Sequence, residues 1–153
     1  MEKEDLAVLA GFEAVWQRVQ QAGGGDKAAA RDPRESLLQR LYEQWRGLEA
    51  LSCRCCGGMK GALCREAAVA RYWFGRLQTA CFLDGGDIWT PCKTCNFASC
   101  TPYNLRKLYQ NAEKLAEDLQ NARRGEGDIM AGAASAMERQ TRQLELLIGR
   151  MLT

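Results

Sequence analysis

The chain reads as an all-α protein: a four-helix bundle of two helical hairpins joined by a long crossover, with an extra helix at the N-terminus. Three observations predict this. Apolar residues recur at steps of three and four through five stretches. Glycine- and proline-containing punctuation separates those stretches. The second pair of long stretches also echoes the first at an offset of 67 positions. Leu38, Leu41, Tyr42 and Leu48 match Leu105, Leu108, Tyr109 and Leu115, and Leu77 matches Leu144. Short loops inside each pair and a long connection between the pairs describe a bundle with one crossover.

The first stretch, residues 5–21, carries Leu6, Leu9, Phe12, Val15, Trp16 and Val19 and stops before Gly23-Gly24-Gly25. The predicted organisation is an N-terminal helix over 1–22, a linker over 23–34 and a bundle over 35–153. Asp32-Pro33 supplies an N-cap and a proline at the first helical position, and Leu38, Leu41, Tyr42, Trp45, Leu48 and Leu51 follow as an apolar face that closes near Ser52. Gly57, Gly58 and Gly61 are expected to form the turn. Leu63, Ala67, Ala70, Phe74, Leu77 and Cys81 then alternate by four and three until Asp84-Gly85-Gly86. The segment to about Cys100 has no sustained period and is the long connection. Thr101-Pro102 repeats the cap-plus-proline start for a helix with Leu105, Leu108, Ala112, Leu115 and Leu119 inside. The last helix, after Gly125-Glu126-Gly127-Asp128, presents Ile129, Ala133, Met137, Leu144, Ile148 and Met151.

A chain of 153 residues buries roughly 70% of its unfolded surface, so its core needs no disulfides to stand. Yet it has eight cysteines and no histidine, which points to thiolate chemistry and removes imidazole from any mechanism. Seven of the eight fall within 53–64 and 92–100. The opening Met1-Glu2-Lys3-Glu4-Asp5 lacks the layout of a secretory signal, and no apolar run has membrane-spanning length, so a cytoplasmic setting without membrane contact is expected. Under reducing conditions clustered cysteines serve as metal ligands or redox thiols more often than as permanent bridges. The net charge of +2 is no footprint for nucleic acid. Arg54, Lys60, Arg65, Arg71 and Arg76 stand against Glu66 alone, which reads as a solvated helix face.

Cys92-x2-Cys95 is the sharpest signal, since two thiolates at that spacing hold half of a tetrahedral metal site. The same pair also fits a redox dithiol, although no alternation of strands and helices supports a thioredoxin-type fold. Cys64 and Cys81 read as small core or near-core residues. A crossover that runs the length of the molecule brings Cys100 to the end where the first long helix stops. The expected site is therefore Cys92, Cys95 and Cys100 with a fourth thiolate from Cys53 or Cys56, and zinc is the default metal. A simple up-and-down bundle would instead leave the connection beside Cys81.

The segments Phe12–Val19, Arg76–Asp87 with Trp89-Thr90-Pro91, and Met137–Leu147 resemble the rubrerythrin-like branch of the ferritin-like superfamily. The resemblance implies a di-iron site built from a Glu on each of the first and third bundle helices and a Glu-x-x-His on each of the second and fourth. Those positions fall on Trp45, on Ala112, on Ala70 and Trp73, and on Met137 and Gln140 or Glu138 and Thr141. At most one expected ligand survives, so a di-iron centre is not expected. Trp45 and Trp73 are expected to be buried and to fill the vacated space, as ordinary core aromatics would also do.

The function this implies is a non-catalytic bundle with a structural or regulatory cysteine-metal site. The alternatives are a rubrerythrin-like or thiol-linked oxidoreductase of oxidative-stress defence, and a helical interaction module acting as a homodimer or with another protein partner.

Overall fold

The computed structural model describes residues 33–85, 89–91, 100–125 and 128–153. The expected N-terminal helix lies outside them, as do Cys92 and Cys95. The described residues are all-helical, with α1 at Pro33–Ser52, α2 at Gly57–Leu83, α3 at Pro102–Ala122 and α4 at Ile129–Leu152.

Each boundary has a local cause. Pro33 opens α1, where its missing N–H costs nothing, and Glu35 sits in the first turn. The helix stops as Ser52 Oγ donates to the Glu49 carbonyl at 2.7 Å and Arg54 N–H turns back to the Leu51 carbonyl at 2.9 Å. The turn is thus Cys53–Cys56. Gly57, Gly58 and Gly61, expected to form it, belong to α2. Gly57 opens that helix at φ +62°, a left-handed conformation that a side chain would strain. At its other end Asp84 N–H bonds the Ala80 carbonyl, Gly85 N–H bonds the Phe82 carbonyl, and Gly85 takes φ +94°. Thr101 caps α3 by accepting from Asn104 N–H at 3.2 Å. Asp128 caps α4 by accepting from Met130 N–H at 3.1 Å, and it also holds Arg124 N–H at 2.8 Å.

Named pairs fix how the helices run. Arg34 at the start of α1 pairs with Asp84 at the end of α2 at 2.7 Å, and Trp45 packs on Phe74 with ring centroids 5.7 Å apart, so α1 and α2 are antiparallel. Arg40 bonds Asp118 while Gln44 meets Asn111 and Leu108, so α1 and α3 are antiparallel as well. Gln140 reaches Glu66 and Gly132 lies under Trp73, which makes α2 and α4 antiparallel. It follows that α2 and α3 run the same way, although they are consecutive. The connection between them must therefore travel the length of the helices. Trp89 marks its passage, with its ring 5.7 Å from Phe74 and its carbonyl accepting from Gln78 Nε2.

The core forms two apolar clusters. One gathers Leu38, Leu41, Phe74, Leu77, Leu119 and Met137, and the other Leu48, Leu51, Leu63, Leu105, Leu144 and Leu147. All five pairs matched at the 67-residue offset take part: the leucines are buried, and Tyr42 and Tyr109 pack half-buried against the two clusters. Trp45 and Trp73 depart from expectation, being half-buried. Trp45 lies on the α1–α2 seam under the Arg71 guanidinium, 5.4 Å from its ring centroid, while its neighbour Gln44 takes the fully buried position.

Candidate functional site

Two constellations stand out, one at the end of the helices where α1 turns into α2 and one between the two apolar clusters.

At the first, Cys55 stands one residue before Cys56, the N-cap of α2, and Cys100 stands one residue before Thr101, the N-cap of α3. Because α2 and α3 run in parallel, their starts lie side by side. The Cys55 and Cys100 thiols are in hydrogen-bond contact. Both are half-buried and pack against the same leucine cluster, together with Met59 and Ala62. Burial pushes the Cys55 thiol up to about 12, aided by the hydrogen bond and the charge of Cys100 and by the charge of Cys56. Cys55 is therefore protonated at neutral pH when no cation is near.

The expected ligands distribute unevenly around this pair. Cys100 meets Cys55 of the α1–α2 turn. Cys53 and Cys56 flank it as exposed thiols on the same turn. Cys55, absent from the expected set, is the residue that meets Cys100. Cys81 is buried with the opposite cluster, and Cys64, expected near the core, is exposed on α2. Among the described residues no three Cys, His, Asp or Glu side chains converge as a metal-holding group.

The second constellation is a polar network inside the core. Gln44 and Gln140 are buried, at 0% and 1% exposure. Gln44 Nε2 donates to Gln140 Oε1 at 2.8 Å and to the Leu108 carbonyl at 3.0 Å. Asn111 Nδ2 donates to Gln44 Oε1 at 2.7 Å. Gln140 Nε2 donates to the Glu66 carbonyl at 2.9 Å and to its carboxylate at 3.2 Å. Each helix thus contributes one polar side chain. Burial holds the Glu66 carboxyl above the usual range, against the opposing pull of Gln140, Arg65 and Arg139. Only Gln140 coincides with a position that the family resemblance implied. Gln44 and Asn111 stand one residue before the expected Trp45 and Ala112. A signal for two of them was present: Leu41, Gln44, Leu48 and Met137, Gln140, Leu144 continue the alternation of three and four, so each glutamine interrupts an inward stripe.

On the outer face a groove of about 440 Å³ runs between α1 and α2, walled by Trp45, Arg71 and Tyr72. Arg54, Lys60, Arg65, Arg71 and Arg76 are exposed, and none of them forms an ion pair with a described residue. None of the four described helices is long and apolar enough to cross a membrane. No family model, curated protein or solved structure matches the chain.

Proposed function

We propose that the protein is a non-catalytic, ferritin-like helical bundle of the rubrerythrin-like branch whose cysteine-rich end holds a structural or regulatory metal on thiolates, with zinc the default ion. The contact between Cys55 and Cys100 carries this reading. It joins two chain segments that a thiolate site must bring together, each anchored at the start of a long helix. Cys53 and Cys56 lie on the same turn, and Cys92 and Cys95 precede Cys100 on the connection, so enough thiols for a tetrahedral set are at hand. Cys55 and Cys100 would hold the cation, which when bound would favour their thiolate forms. Without one, a thiol raised to about 12 is a poor nucleophile at neutral pH, which counts against a thiol oxidoreductase working through Cys55.

The polar core supports the loss of the family's di-iron centre. Gln44, Asn111 and Gln140 offer carboxamides, Glu66 offers one carboxylate, and the chain contains no imidazole. That donor set does not fit two irons, which need several carboxylates to neutralise their charge. The amides bond one another instead, satisfying buried polar groups without a metal.

Zinc titration of the reduced full-length chain, followed by elemental analysis, tests the site. One zinc per chain is expected, lost in Cys55→Ser and in Cys100→Ser and kept in Cys64→Ser. Zinc retained at full stoichiometry in both of the first two variants, or no zinc bound by the parent, would overturn the proposal.

A further inference from the structure

We infer that Cys55 and Cys100 are an oxidation site: low-molecular-weight disulfides convert the pair to a reversible protein disulfide that staples the start of α3 to the turn between α1 and α2. The inference deepens the proposed thiolate site by naming its redox regulation. Geometry selects this pair. The two thiols touch, and each is held by a helix start that packing fixes, since both cysteines lie against the Leu48, Leu51, Leu63 and Leu105 cluster. Cys53 and Cys56 are exposed, and among the described residues no third thiol joins the pair in a metal-holding group. Cys81 is buried with the other cluster.

The chemistry balances with the oxidant as sole co-reactant. The Cys100 thiol loses its proton, and its sulfur attacks the small disulfide, giving a mixed disulfide and releasing one small thiol. Proximity and not acidity brings Cys55 into the second step, because the packing that seats both cysteines on one leucine cluster keeps its sulfur beside that of Cys100. Cys55 then loses its proton and attacks the Cys100 sulfur, expelling the second small thiol. Two S–H bonds break and one protein S–S bond forms. Two electrons and two protons pass to the oxidant, which leaves as two thiols. The new bond closes a ring containing all of α2 and the crossover, and it removes two sulfurs from any metal set.

The test uses the reduced, chelator-treated full chain incubated with glutathione disulfide, blocked with N-ethylmaleimide, digested, and mapped by fragmentation mass spectrometry. The expected product is a peptide joining Cys55 to Cys100, reversed by dithiothreitol and still formed in Cys53→Ser and Cys56→Ser. A bridge from Cys56 or Cys53 to Cys100, a bridge within 92–100, or stable glutathione adducts at Cys55 or Cys100 would each overturn the inference. Because the map is read on the parent chain, a misfolded variant does not blunt it. Because no metal is present, failure here is separable from failure to bind zinc. In the zinc-loaded protein, release of zinc in step with that cross-linked peptide is expected, and release without it would count against the pair as the regulated element.

Discussion

Gln140 shows how much one buried amide can hold. It accepts from Gln44 of α1 and donates to the backbone and the carboxylate of Glu66 on α2. Gln140→Leu should cost about 2 kcal/mol, because it leaves Gln44 short of an acceptor in a closed core. In the double variant with Gln44→Leu, which replaces both partners by apolar groups, denaturant melts should give a loss smaller than the sum of the single losses. Additive losses would mean that the two amides act separately. Glu66 carries the pH dependence. Burial raises its folded pKa above the unfolded value, so its contribution is fully present below the ordinary carboxylate range and is lost as pH rises through the raised value. Glu66→Gln keeps the acceptor for Gln140 and removes the charge. Its stability should equal the parent's near pH 4 and match or exceed it at pH 7, by on the order of 1 kcal/mol or less since the side chain is half in solvent. Urea melts at both pH values decide this, and a variant less stable than its parent at pH 7 would show that the fold holds the ionised form.

At the scale of elements, α2 and α4 meet through a size match. A methyl group on Gly132 would lie 2.6 Å from Trp73 Cη2, closer than carbon atoms tolerate. Glycine in a helix interior costs roughly 1 kcal/mol relative to alanine, so its presence in α4 is bound to the indole above it. Gly132→Ala is therefore expected to destabilise the parent by about 1–2 kcal/mol. In a Trp73→Ala background the same change should stabilise by up to about 1 kcal/mol, its helix propensity then being unopposed. Thermal melts of the four-member cycle read the change of sign, and stabilisation in both backgrounds would mean that the indole moves aside freely. Helix limits were legible because their causes are local: Pro33, the Thr101-Pro102 pair, Asp128 and Gly85 each act within a turn of chain. The turn between α1 and α2 was misplaced because glycines signal freedom and do not say whether a helix uses it. Only Gly57 is needed there for its positive φ, whereas Gly58 and Gly61 continue α2.

For the molecule as a whole, the parallel run of α2 and α3 is the decisive fact, since it carries the connection from Asp84 past Trp89 to Cys100 at the opposite end. The repeat at 67 residues takes its meaning here. Gln44 and Asn111 are separated by that same offset and bond each other, so the two hairpins meet through equivalent positions. The same arrangement gives the proposed zinc site and the Cys55–Cys100 disulfide their common footing, because an up-and-down order of helices would have left Cys100 near Cys81. The sequence left two places open for Cys100, beside the α1–α2 turn or beside Cys81, and did not select its partner among Cys53, Cys55 and Cys56.

The sequence by itself determined the four long helices, their caps and the leucine stripes that close the core, all consequences of interactions within a few residues and of a period near 3.6. Tertiary structure decided the register to one residue. Neighbouring positions on a helix differ by about 100°, so a rotation by one position exchanges the inner and outer places of Trp45 and Gln44, and only the facing helices settle which turns inward. They placed Gln44 in the core because Leu108, Asn111 and Gln140 together satisfy its amide. They seated Cys55 on the leucine cluster that also holds Cys100 and left Cys53 and Cys56 exposed.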